Sequence, residues 1–130
     1  MAKLDKADRK AFEDYLWKHA HADYRGVVDG KKAVLYYEAG RGTVLGPLEN
    51  MSNEVLVALV ALDKWAGHKK SDGLAKRKGI EPRDFDLQQL GTGILVELEH
   101  TSDPALALEI SLDNMAKYSS YYERLVQAGL

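Results

Sequence analysis

The stretch YRGVVDGKKAVLYYEAGRGTVLGPL, Tyr24 to Leu48, decides the fold class. Asp29-Gly30 sits between apolar residues and reads as a two-residue hairpin turn, because glycine accepts the positive φ that a type I′ turn needs. Ala33 to Tyr37 is β-branched and aromatic, which suits a strand. EAGRG supplies a second turn and TVLGPL a third strand. Pro47 has no backbone donor, so that strand ends there or lies at an edge. The pattern predicts a three-stranded antiparallel meander.

Helical patterns surround it. Leu4, Ala7, Ala11, Phe12, Tyr15, Leu16 and His19 recur at helical spacing and predict an amphipathic helix over 4–22, with His19 partly buried and His21 exposed. Two apart on a helix, those histidines point to nearly opposite sides and cannot chelate together. Ser52 reads as the N-cap of a helix over Asn53–Trp65, whose wide apolar stripe marks it as mostly buried, with Gly67 as its stop. Asp86 with Gln89 opens a helix from Leu87 to about His100. Asp103 followed by Pro104 opens another, running to about Ala116. Ser119 or Ser120 caps a short last helix ending before Gly129. The expected class is α+β: an N-terminal helix, a small three-stranded antiparallel sheet, then a mostly helical C-terminal half.

The stretch 67–84 is polar and basic, with Gly67, Gly73, Gly79 and Pro82, and a single helical turn around Leu74–Lys78. It divides the chain into 1–66, a basic linker at 67–84, and a helical region at 85–130, unless the whole is one continuous domain. With 130 residues there is enough chain to bury a core without staples. The 45% apolar and 29% charged composition is that of a soluble globular protein. There is no cysteine, which excludes disulfides, cysteine metal sites and a cysteine nucleophile. The apolar run Val55–Leu62 is too short to span a bilayer. MAKLDKADRK has no apolar signal region, so the chain is expected to stay in the cytoplasm where it is made. A net charge of −2 gives no overall bias toward nucleic acid.

Chemistry-bearing residues gather in GILVELEHTSDPALALEISLDNMAKYSSYYERL, Gly93 to Leu125. Glu97 and His100 are three apart, and Glu109 and Asp113 four apart, so each pair shares a helix face. A short turn joins the two helices, so the four could converge on a divalent metal, for which oxygen ligands with one imidazole suit manganese, iron or zinc. Di-iron bundles carry the Glu-x-x-His pair twice, and this chain has it once. The structural alternative puts His100 against the helix dipole, with Glu109 and Asp113 solvated or paired with Lys117. His68 has no evident partner.

Lys69, Lys70, Lys76, Arg77 and Lys78 form a basic patch that could neutralise phosphates. No aromatic residue interleaves with it, so a single-strand stacking platform is absent. EAGRGTVLG lacks the spacing of a phosphate-binding loop, and no Gly-x-Ser-x-Gly elbow occurs. No catalytic set emerges. Tyr118, Tyr121 and Tyr122 offer a partner surface or, for Tyr121 with Leu125, an anchor for the last helix. The strand beginning Thr43, Val44, Leu45 offers an edge to which another chain can pair.

Phe85 to Leu125 resembles an uncharacterised family of small bacteriophage and prophage proteins. Its members read G-I-x-V-E-x-E-H-T, then A-x-x-I-A-x-D-H-L, then Y-Y-x-x-L. Gly93, Glu97, Glu99, His100, Thr101, Ala107, Ile110, Asp113, Tyr121, Tyr122 and Leu125 fall on that pattern, over about a third of the chain. Asn114 stands where the family has histidine, and asparagine is a poor transition-metal ligand. The resemblance implies a viral origin and, by analogy, a virion or accessory protein working by protein–protein contact or self-assembly. Metal binding is the alternative, and nucleic-acid binding through the linker the third.

Overall fold

The computed structural model describes residues 4–38, 40–66, 73–118 and 120–129. The chain runs α1 (Lys6–His19), β1 (Arg25–Val28), β2 (Lys31–Glu38), β3 (Gly42–Pro47), α2 (Asn53–Ala66), α3 (Leu74–Lys78), α4 (Leu87–Glu97), α5 (Pro104–Lys117) and α6 (Tyr121–Gln127). It is an α+β fold, as the patterning predicts. Among the described residues no helix is long and apolar enough to cross a membrane.

The strands form a meander in the order β1-β2-β3, antiparallel throughout. Asp29 (φ 51°) and Gly30 (φ 77°) both take positive φ between the partners Val28 and Lys31, which is the type I′ turn the sequence predicts. β3 ends on Pro47 and lies at an edge.

The caps predicted at Asp86, Asp103 and Ser52 form: the two aspartates accept from the backbone N–H of Gln89 and Ala105, and Ser52 Oγ accepts from Val55 N. Asp5, which the spacing does not single out, caps α1 by accepting from Asp8 N. At the start of α6 Ser120 makes no side-chain cap bond, and Ser119 lies outside the described residues. Two helices are shorter than the spacing predicts. α1 stops at His19, because Ala20 is already extended, and Ala22–Tyr24 forms a separate 3-10 turn. α4 stops at Glu97. Its end tightens into i→i+3 bonds from Glu99 N to Val96 O and from His100 N to Glu97 O, which leaves His100 in a turn. His19 is exposed and not partly buried. Its ring stacks on Tyr15, and its Nδ1 lies 2.9 Å from the Tyr15 carbonyl.

Two apolar cores share α2. Leu56 and Val60 join Leu16, Val34, Leu48 and Met51 under the sheet. Val57, Ala58 and Ala61, on the other side of α2, join Leu90, Ile94, Leu108, Leu112 and Met115 from α4 and α5. The second contact is close because of Gly91, where a Cβ would run into the Glu54 backbone carbonyl. Arg9 ties α1 to the start of α2, donating to Asn53 Oδ1 (2.8 Å) and Leu48 O (2.9 Å).

The described part of the expected linker packs into the larger core. Ala75 is 5% exposed, Ile80 lies against the same cluster, and Pro82 is buried. Gly67, His68, Lys69 and Lys70 lie outside the described residues.

Candidate functional site

The four candidate metal ligands do not come together. Glu97 is 8% exposed and accepts a hydrogen bond from the Tyr122 hydroxyl at 3.1 Å. Asn114 Nδ2 in turn donates to that hydroxyl at 2.9 Å. A glycine makes this arrangement fit: a Cβ at Gly93 would stand 2.8 Å from the Tyr122 ring. Burial raises the Tyr122 hydroxyl pKa well above its ordinary value. The Asn114 and Ser111 hydrogen bonds work against that shift, and the Glu97 carboxylate adds to it.

Asp113 faces the opposite way. Its Oδ1 accepts from Ala75 N at 2.9 Å and caps α3, where Gly73 has no side chain to do so. A Cβ at Gly73 would collide with the same carboxylate. Glu109, only 8% exposed, lines a cavity of about 310 Å³ beside Trp65, Lys76 and Asp113. Of the two acids, Glu109 is buried and not solvated, and Asp113 is engaged at the start of α3. His100 is exposed in the turn after α4. Among the described residues no group of three or more His, Asp or Glu could hold a metal ion.

The three tyrosines separate. Tyr122 is 2% exposed and belongs to the core, so it offers no surface to a partner. Tyr121 packs against the same core with Leu125 and sets its ring edge-on to Tyr122, 4.8 Å between centroids. Tyr118 is 49% exposed, with the Arg124 guanidinium over its ring and on its hydroxyl.

The strand edge keeps its candidate residues at the surface. Thr43 and Leu45 are exposed and Val44 is half-buried. Leu45 pairs with Leu35, and Thr43 with Tyr37, across β2–β3. Val34 and Tyr36 point to the smaller core, so by alternation Leu35, Tyr37, Leu45 and Pro47 share the outer face. The glycines agree: a Cβ on Gly26 would touch Leu45, and one on Gly46 would touch Tyr36 and Met51. Tyr37 is 70% exposed, Leu45 40% and Leu35 36%, so the outer face is apolar where a solvated sheet face is usually polar.

Lys76, Arg77 and Lys78 lie exposed on α3, and Lys78 Nζ donates to Ala116 O. Three further features leave no trace in residue spacing. Arg25 and Lys32 each approach the Trp17 ring to 5.3 Å. Tyr15 Oη donates to Asp63 Oδ2 at 2.6 Å. A half-open cavity of about 490 Å³ lies beside α2 and α4, lined by Leu59, Leu62, Trp65, Phe85 and Leu87 and also by Tyr37. All three need residues distant in sequence, and no local pattern announces them. The alternation of Leu35 and Tyr37 on β2 was the one available sign of an apolar outer face.

The chain matches no family model, no curated protein and no solved structure.

Proposed function

We propose that this protein is a non-enzymatic, phage-type component, of a virion or a host-directed accessory kind, that works by binding a protein chain on the outer face and β3 edge of its sheet. The phage attribution rests on the resemblance of Phe85–Leu125 alone. The binding attribution rests on one observation: Leu35, Leu45 and Tyr37 form an exposed apolar row beside a strand that, among the described residues, no further strand pairs. Such a row loses water favourably when covered, and the free N–H and C=O groups of the edge give the covering chain a register.

The test is a photoreactive phenylalanine analogue placed at Leu45, with a second version at exposed Glu123 as control. Crosslinking in the producing cells is expected to give a discrete product from position 45 and none from position 123. No product from position 45, with the protein folded, overturns the reading.

A further inference from the structure

We infer that the chain covering this edge is a second copy of the same protein, joined antiparallel through β3 about a two-fold axis at Leu45. The inference deepens the proposed function and rests on it.

Charge and spacing along β3 favour a second copy. Gly42–Pro47 carries no charged residue, so β3 lacks the mid-strand lysine or glutamate that commonly keeps edges apart. Its charges stand outside, with Arg41 before the strand and Glu49 after it. Both are four residues from Leu45, and both side chains are well exposed, at 66% and 60%. An antiparallel pair centred on Leu45 therefore brings Arg41 of each copy to the end where Glu49 of the other stands. Two-fold symmetry makes that contact twice. A parallel pair would set like charges together.

The apolar row supports the same geometry. With Leu45 on the axis, Val44 faces Gly46 and Thr43 faces Pro47 of the other copy, and every residue keeps its side of the sheet. The two Leu35–Leu45 pairs then form one continuous apolar band on a single outer face. Pro47 has no donor to lose at this edge. The interface is isologous, so it closes after two copies and does not grow into a fibre. Arg41 already meets Glu38, and Glu49 meets Lys31, within one chain. In each pair the member that would move is well exposed, so the rearrangement costs little.

The experiment is sedimentation equilibrium or light scattering on the full chain over a range of concentrations. A dimer is expected. Leu45→Lys should abolish it with an unchanged circular dichroism spectrum, and Thr43→Lys, at another exposed site, should do the same if the first variant misfolds. Arg41→Glu and Glu49→Arg should each weaken the dimer about tenfold, since each turns two attractive contacts repulsive. The double variant should restore most of that loss. A strict monomer, a dimer indifferent to both lysine variants, or a double variant no tighter than the singles overturns the inference. A monomer that still crosslinks to a different protein from position 45 overturns the two-fold pairing and leaves the proposed function standing.

Discussion

Tyr122 Oη stands 3.1 Å from Glu97 Oε1, joining the end of α4 to the start of α6 inside the larger core. With Asn114 donating to the same hydroxyl from α5, three helices meet at one oxygen. Such a bond adds little over hydration while it is made, but breaking it strands the partners away from water. Tyr122→Phe leaves a carboxylate and an amide with no hydroxyl between them. It should lower stability by about 1–3 kcal/mol, read from urea denaturation. Tyr121→Phe, next door and half-buried, should cost less than about 0.5 kcal/mol. Equal effects of the two would refute the clasp.

Close contacts explain both glycines in the middle of α4, Gly93 against the clasp and Gly91 against α2. Glycine to alanine inside a helix ordinarily stabilises by roughly 0.5–1 kcal/mol. Here the sign should reverse. The Cβ of Gly93→Ala meets the Tyr122 ring at 2.8 Å and Ser111 Oγ at 3.1 Å, while that of Gly91→Ala meets the backbone carbonyl of Glu54. A ring can tilt but a helix backbone cannot, so Gly91→Ala should be the worse of the two, each costing about 1–3 kcal/mol or more. Thermal melts of both variants decide this; a stabilised Gly91→Ala would mean that α2 and α4 are not in backbone contact.

Asp113 spends its carboxylate on Ala75 N, so its loss should be felt on α3 and not at a metal. Asp113→Ala should cost about 0.5–2 kcal/mol, with faster hydrogen exchange over Leu74–Ile80. Asp113→Asn, which keeps an acceptor, should recover most of it. A chelator should leave the melting temperature of the parent protein unchanged, because Glu97 and Asp113 are engaged elsewhere and His100 is in solvent. Stoichiometric metal by elemental analysis, or a melting temperature lowered on chelation, would show these side chains rearranging around an ion.

The turn at Asp29-Gly30 and the caps at Ser52, Asp86 and Asp103 were readable because each is a local device, fixed by two or three consecutive residues. The α+β order followed from them. What the spacing could not carry was direction in space. Glu97 and Asp113 looked like one cluster because each lies on a helix of a hairpin, yet one turns into the core toward Tyr122 and the other outward to α3. Residues 73–84 looked like a solvated linker because lysine and arginine outnumber the apolar residues. Ala75 and Ile80 nevertheless face the core while the charges face water, and five residues of helix are too few for a period to show. The edge strand was visible through Pro47. The apolar outer face became certain only once the register set Leu35 against Leu45.

Tyr15 donates to Asp63 at 2.6 Å, and its pKa is pushed up to about 12 from an ordinary 10.0, by burial first and then by the Asp63 carboxylate. Tyr122 is raised as well, again chiefly by burial. A group whose folded pKa lies above its unfolded value holds its proton more tightly when folded. Its contribution is therefore complete below the unfolded value and is lost as pH climbs through the folded one. For Tyr15 that window runs from pH 10.0 to about 12. Melting temperatures should be insensitive to these two groups at neutral pH and should fall across the window, as unfolded tyrosines ionise and the folded pair resists. Tyr15→Phe should flatten part of that fall, and its phenolate absorbance titration should lack one late-ionising group. If the variant and the parent protein lose stability with the same pH dependence, the Tyr15–Asp63 bond does not persist in solution, and α1 is held to α2 by its other contacts, among them Arg9 on Asn53 and Lys64 over the Tyr15 ring.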